Sequence, residues 1–415
     1  MQTESGGATL TTRRHPLRKS AQTELNVLKL IQARPSISRV ELAKEARLST
    51  AAITGVVNSL HERGLLVEEA SSSASVGRKR IGLWLRPELG YVLGIDLGTF
   101  NLRVAVTDLN GSPRAVRQVP ARMNLGRADV LKRCFATMRE VLHEAGVDPA
   151  RILGVGVAFS GVIDAANGTV LSYPRPGLAE SWKNTPLRAI VEAEFGVPCV
   201  LEDSVRAVAN SERTKGAGRD FSDFVYVDVG MGVGSAIFIN ESLYRGCNGS
   251  AGEFGHMTVD EKGPLCCCGS YGCLEALASG ACVIENVKLA LEKGVSSKVL
   301  HLAGGVPDDI TLEMIAEAAE DRDSLSFRAL SEAATHIGAA CADLVNLLNP
   351  EAIIFGGALF RASPALLLEH LNRIVRHRAM EKSVNDVKLL LAVTKSDAGA
   401  LGMASMIASQ VVSSL

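Results

Sequence analysis

Cys266, Cys267, Cys268 and Cys273 fall within eight positions, four of the nine cysteines in a chain of 415 residues. A Cys-x-Cys pair with a third cysteine five positions on can wrap one metal ion, and no helix or strand brings so many thiols together for packing alone. The segment is therefore read as a metal-bearing loop. The other five cysteines are scattered, so the chain shows no disulfide framework and fits a reducing compartment.

A chain this long exceeds what one hydrophobic core usually serves, and two or three domains are expected. The first twenty residues are polar and basic, with no apolar stretch of the signal-peptide kind, and no uncharged apolar run reaches bilayer length. The expectation is a cytoplasmic protein without a membrane partner. Charge divides unevenly: residues 1–83 hold 13 Lys and Arg against 7 Asp and Glu, leaving 31 against 38 for the remainder. A basic head on an acidic body invites a polyanion, although a solvated surface with chance asymmetry carries the same totals.

Local pattern decides for the head. Residues 20–32 place Leu25, Leu28 and Ile31 on one helical stripe, which Pro35 forbids to continue. Ser38 and Glu41 have capping-box spacing, followed by Leu42, Ala43 and Ala46 on one side. After Arg47 and Leu48, Ser49 caps a third helix with Ile53, Val56, Val57 and Leu60 inward, which Gly64 stops. Thr50, Thr54 and Asn58 are left facing outward. Two helices joined by a tight turn, the second offering short polar side chains, match a helix that settles into the major groove. Leu65–Glu69, a tip at Ser71–Ser75 and Arg80–Leu85 form a hairpin wing, and Gly77-Arg78-Lys79-Arg80 would meet phosphates. Operator DNA is the expected partner, contacted by Ser49, Thr50, Thr54, Asn58, Arg78, Lys79 and Arg80. Three-helix packing also serves protein-docking modules; the wing and its basic run favour DNA. The domains expected are a disordered basic tail at 1–19, a winged helix-turn-helix at 20–86, and a body at 90–415.

From Tyr91 the pattern changes to apolar alternation, with Asn110-Gly111 as a hairpin signal between two strands. A helix near 127–145, strands at 152–158 and 198–201, and a helix from Ser204 to about Arg213 follow. Strands at 224–229 and 234–239, long helices across 311–347, and strands at 352–355 and near 387–392 repeat the alternation. The body is α/β, in two similar lobes with a cleft between them.

Ala251-Gly252-Glu253-Phe254-Gly255-His256-Met257, then Cys266-Cys267-Cys268-Gly269-Ser270-Tyr271-Gly272-Cys273-Leu274-Glu275, closely resembles the signature of the ROK (repressor, open reading frame, kinase) family: Glu-x-Gly-His, then Cys-x-Cys-Gly-x-x-Gly-Cys-x-Glu. Gly94–Asp108, Trp182-Lys183-Asn184-Thr185-Pro186-Leu187, Gly230–Gly234 and Gly356-Gly357 extend the resemblance, which spans residues 20–410 and points to the xylose-repressor-like subgroup. It implies an actin-like, two-lobed ATPase-type fold, with lobe one at about 90–204 plus a C-terminal helix near 399–411, and lobe two at about 205–395. It also implies structural zinc on His256, Cys266, Cys268 and Cys273, with Cys267 a bystander. A polyol stripped of water needs its hydrogen bonds replaced, and the resemblance assigns that work to Glu253, His256 and Glu275, with Asp203 and Ser204 beside them.

The chain departs from the family's kinases. They carry Glu-Asn-Asp-Ala-Asn, whose Asp is the general base; here stands Glu202-Asp203-Ser204-Val205-Arg206, and Ser204 holds the catalytic place. A serine hydroxyl has too high a pKa to take that proton, and losing a general base removes ~10²–10⁴-fold of rate. Asp203, one position off just before a helix, is expected to turn away from the cleft. The Asp-x-Gly-Gly-Thr hairpin becomes Asp96-Leu97-Gly98-Thr99-Phe100, and Gly-Thr-Gly becomes Gly230-Met231-Gly232, whose thioether cannot donate to a phosphate. The resulting expectation is a transcriptional regulator of carbohydrate metabolism, a homodimer or homotetramer, that binds a monosaccharide effector without ATP or phosphorylation. An active ATP-dependent sugar kinase with an appended head, and a regulator answering to a protein or a sugar phosphate, are the alternatives.

Overall fold

A computed structural model describes residues 16–70, 81–173 and 179–415. The wing tip, Arg78, Lys79 and Arg80 lie outside the described residues. Three helices open the chain, α1 (Pro16–Ala33), α2 (Arg39–Glu45) and α3 (Thr50–Glu62), followed by an antiparallel wing of β1 (Leu66–Ala70) and β2 (Ile81–Leu85). Helix α1 begins at Pro16, a residue suited to a first helical position because its missing N–H would find no partner there. Residues 16–19, expected in the basic tail, belong to this helix, and residues 1–15 lie outside the described residues. The capping box forms: the Glu41 amide donates to Ser38 Oγ (3.3 Å) and the Ser38 amide to Glu41 Oε2 (3.0 Å). Ser49 caps α3 by accepting from the Ala52 amide (3.2 Å). Val27, Leu28 and Ile31 are the buried stripe of α1, while Leu25 is only half-buried at its edge.

The body is two five-stranded sheets of one plan. The first runs β5 (Pro113–Pro120), β4 (Asn101–Asp108), β3 (Tyr91–Leu97), β6 (Ile152–Phe159), β9 (Cys199–Asp203); a small hairpin, β7 (Val162–Asp164) and β8 (Thr169–Ser172), lies outside it. The second runs β12 (Ser242–Tyr244), β11 (Val233–Ile239), β10 (Phe224–Val229), β13 (Ala352–Gly356), β14 (Lys388–Leu391). In each, an antiparallel meander is extended by two parallel strands, the arrangement of an actin-like fold. Long helices at Leu312–Glu320 and Ser324–Leu348 cover the second sheet with Leu330, Ile337 and Val345.

The last helix, Ala398–Val412, seats against the first sheet and against the Ser204–Lys215 helix. The contact is close enough that a Cβ on Gly94 would stand 1.9 Å from the Ala400 carbonyl, and one on Gly402 1.8 Å from the Ala207 carbonyl. Its other side completes the head: Ala404, Ile407, Ala408 and Val412 share one apolar cluster with Val27, Ile31, Ile53 and Leu60. Burial of this kind is worth about 1.5–3 kcal/mol per large side chain. Head and body are thus one packed unit. Among the described residues, no helix is long and apolar enough to cross a membrane.

Candidate functional site

A cleft of about 940 Å³ opens where the two sheets face each other. Five predicted sugar ligands line it: Asp203, Ser204, Glu253, His256 and Glu275, with Asp96, Arg103, Ser160, Phe100 and Met231.

Strand β9 delivers Glu202 and Asp203 to the start of the Ser204–Lys215 helix. Asp203 is that helix's N-cap, its Oδ1 accepting from the Val205 (2.8 Å) and Arg206 (3.2 Å) amides. The expectation that it turns away from the cleft is corrected here: an N-cap is extended and folds its side chain over the helix mouth, and this mouth opens on the cleft. Burial pushes the Asp203 carboxyl up to about 6 against its two amide donors. Ser204 Oγ donates to Asp96 Oδ1 (3.2 Å) and accepts from Ser160 Oγ (2.9 Å). Asp96 in turn accepts from Arg103 (3.1 Å), yet burial raises its carboxyl above the ordinary value.

Glu202 and Arg206 are both buried, and their ion pair (3.3 Å) is joined by Arg245, which reaches Glu202 Oε2 at 2.6 Å. Arg206 also donates to the carbonyls of Gly249 (2.6 Å) and Ala251 (2.7 Å), fastening the loop that leads into Glu253. Sequence reading missed this brace; a Glu and an Arg at i, i+4 on an otherwise Ala-rich segment was the only sign of it. Gly255 lets the Phe254–His256 turn press onto β11, since a Cβ there would lie 2.1 Å from the Val233 carbonyl. Glu253 stands exposed in the cleft wall, while Glu275 accepts from the Val233 amide (2.9 Å) and from Cys267 Sγ (3.4 Å). Cys267 is therefore not an idle thiol: it holds one oxygen of Glu275.

The ligand atoms of His256, Cys266, Cys268 and Cys273 all lie within 4.8 Å of one another. Cys268 and Cys273 Sγ are 3.7 Å apart, and Cys266 Sγ is 3.6 Å from His256 Nδ1. A tetrahedral site with Zn–S and Zn–N bonds of ordinary length spaces thiolates about 3.8 Å apart and a thiolate and imidazole nitrogen about 3.5 Å apart. The donor set and its spacing fit a four-coordinate soft metal. With Nδ1 turned to the thiols, His256 Nε2 remains for the cleft.

In the head, Ser49, Thr50 and Asn58 are exposed along α3, and Thr54 is half-buried with its hydroxyl donating to the Thr50 carbonyl (2.8 Å). Asn58 Oδ1 accepts from Arg39 (3.1 Å), which also pairs with Glu68 of β1.

A winged helix-turn-helix head packed on a two-lobed body with a polar cleft places the chain among DNA-binding proteins that carry a second, cleft-bearing domain. Comparison with known proteins supplies the family. The model described as ROK family matches residues 92–410, and that described as winged helix-turn-helix DNA-binding matches residues 21–67. The putative xylose repressor of Caldicellulosiruptor sp. (strain Rt8B.4) is 30% identical over 390 residues, 94% of this chain and 96% of that protein. The crystal structure of a ROK family transcriptional regulator, described as a homolog of the E. coli MLC protein, covers 95% of this chain and 97% of its own with a TM-score of 0.77 at 27% identity. A ROK family glucokinase from Streptomyces griseus, solved with glucose and AMPPNP, is matched over its whole length by 77% of this chain, with a TM-score of 0.66 and 30% identity. The chain belongs to the ROK family. Within it, the head makes this chain a DNA-binding transcriptional regulator.

Proposed function

We propose that this regulator represses genes of carbohydrate metabolism, and that a monosaccharide bound through Asp203, Ser204, Glu253, His256 and Glu275 controls it without being phosphorylated. The observation that carries the reading is Ser204. Its hydroxyl occupies the position of the kinases' general base, and it is spent on Ser160 and Asp96, so the site has no proton acceptor there. Arg103 on Asp96 and Phe100 at the first hairpin leave that phosphate loop occupied by protein groups. His256, Cys266, Cys268 and Cys273 hold zinc, which when bound orders the loop that presents His256 and Glu275 to the cleft. ATP is not required. The protein acts in the cytoplasm as a homodimer or dimer of dimers, because helix-turn-helix heads read half-sites roughly 34–36 Å apart. Names of relatives put D-xylose first among sugars to test.

The test is fluorescence anisotropy of the full chain on its own upstream DNA during titration with a panel of monosaccharides led by D-xylose and D-glucose. A saturable shift with one sugar supports the reading; DNA that never binds at moderate salt overturns it. Asp203 favours a second reading as an active kinase, since its carboxyl lies in the cleft and is raised to about 6. An ATP-coupled assay separates the two: phosphorylation abolished by Asp203→Asn would establish the kinase.

A further inference from the structure

The Ser204–Lys215 helix touches the cleft with its first turn and the support of the DNA-binding head with its last residue. We propose that this helix is the lever that carries cleft occupancy to the wing, and that Lys215 and Asn110 are the positioning residues at its far end. The proposal rests on the reading of the cleft as a sugar site.

The helix is held at four levels. At its start, Asp203 caps it and Ser204 lines the cleft. Along its side, Asn210 Nδ2 donates to the Gly402 carbonyl (3.1 Å) and Ser211 Oγ to the Ala398 carbonyl (2.7 Å), fastening it to the helix that completes the head's core. One turn before its end, Glu212 holds the Val393–Thr394 segment that follows the last strand of the second sheet. At its end, the Lys215 ammonium donates to the carbonyl of Gly111, in the turn between β4 and β5, with Asp108 and Asp397 as the nearby carboxylates. A helix of 12 residues is about 18 Å long and stiff along its axis, so an axial shift of its first turn arrives at Lys215 undiminished.

The same turn grips the wing. Asn110 is 7% exposed; its Nδ2 donates to the Leu85 carbonyl (2.8 Å) and its Oδ1 accepts from the Leu85 amide (3.0 Å). It thus stands in as a strand partner for the last residue of β2. The surrounding contact between head and body is mainly apolar and non-directional, with Arg63 donating to the Leu415 carbonyl (2.9 Å) at its rim. The Asn110 pair is directional, so movement of the turn moves the end of β2. Cleft, helix, turn and wing form a continuous series of polar contacts, and a demonstrated effect on coupling is what separates such a series from mere adjacency.

The experiment compares full-length wild type, Lys215→Met, Lys215→Arg, Asn110→Ala and the Lys215→Met/Asn110→Ala double variant. Two quantities are measured: sugar affinity by calorimetry, using whichever monosaccharide of the panel led by D-xylose and D-glucose wild type binds, and affinity for upstream DNA with and without saturating sugar. For wild type, the ratio of DNA affinities is expected in the ordinary range for coupled sites, about 5–150-fold. Lys215→Met should keep sugar affinity and sugar-free DNA affinity within roughly twofold, while the ratio falls at least fivefold or reaches one. Lys215→Arg should restore it. Lys215 is exposed, so its variants do not disturb the core, and Asn110→Ala is informative when its melting shows a folded head. The double variant should lose no more coupling than Lys215→Met alone, because both residues serve one route. An unchanged ratio in Lys215→Met and Asn110→Ala overturns the lever. A wild type that binds a sugar without any change in DNA affinity, or binds no monosaccharide of the panel, overturns the sugar-control reading and the lever with it.

Discussion

Glu212 offers the sharpest test of what fastens the segment between the second sheet and the last helix. It is fully buried, and its carboxylate is shared out completely: Oε1 accepts from the Val393 amide (3.1 Å), the Thr394 amide (2.9 Å) and Thr394 Oγ1 (2.6 Å), and Oε2 from the Ala217 amide (2.7 Å). Glu212→Ala strands three backbone N–H groups and a hydroxyl. At about 1–3 kcal/mol for each unsatisfied group, less what water entering the vacated space restores, the loss should be roughly 4–5 kcal/mol. Glu212→Gln keeps one oxygen on the Val393–Thr394 side and sets an amide N–H against the Ala217 N–H, costing about 1.5–3 kcal/mol. Urea unfolding followed by fluorescence reads the head and the first lobe, since the two tryptophans are Trp84 in the wing and Trp182 in the first lobe. Both variants should unfold at lower urea, Ala well below Gln, with the same order in thermal melts. A Glu212→Ala protein within about 1 kcal/mol of wild type, or a Gln variant as weak as Ala, refutes the idea that shared donors are what fasten this segment.

Three further outcomes are expected. Purified protein should carry one zinc per chain by elemental analysis, with Cys268→Ser and Cys273→Ser losing it and Cys267→Ser retaining it; metal-free Cys267→Ser protein would contradict the assigned ligand set. Gly55 is exposed in the middle of α3 with open space around its missing Cβ; Gly55→Ala should stabilise the head by up to about 1 kcal/mol yet weaken DNA binding several-fold, by melting and anisotropy, if the bare backbone there serves close approach to DNA. Burial raises the Asp203 carboxyl from 3.8 to about 6, so the folded state holds that proton more tightly than the unfolded chain. Its contribution to stability is therefore complete below about pH 4 and lost as pH rises through 6, and Asp203→Asn should flatten the urea midpoint across that window.

Features written in short stretches of sequence were readable in advance. The Ser38 and Glu41 capping box, the Ser49 cap and the thiol loop each place their partners within a few residues, and local geometry then leaves few choices. The turn at Asn110-Gly111 shows where such reading stops. Gly111 does take the left-handed φ (76°) that a tight turn asks of it, but Asn110 spends its amide on Leu85, 25 residues upstream, which no local pattern encodes. Glu212 likewise meets residues some 180 positions away, and Arg206 reaches across to the Gly249–Ala251 loop. Asp203 was misjudged for a different reason: strand-to-helix alternation predicts side chains of regular elements, and an N-cap belongs to neither. Val27 displaced Leu25 on α1 because the head's core is finished by the far end of the chain, which shifts the stripe toward Ile407 and Val412.

That closing of the head by the last helix bears on how the protein is born. A ribosome emits Ala404 to Val412 long after α1 to α3, so through the synthesis of the whole two-lobed body the helix-turn-helix lacks one wall and keeps Ile31, Ile53 and Leu60 partly bare. Only a chain that has reached Val412 can close the core of its DNA-binding head. A product cut short by a stop codon or a protease within Ala398–Val412 leaves an open, apolar head, suited to degradation and poorly suited to occupying an operator. The topology thereby makes synthesis of the body a condition for a closed DNA-binding head.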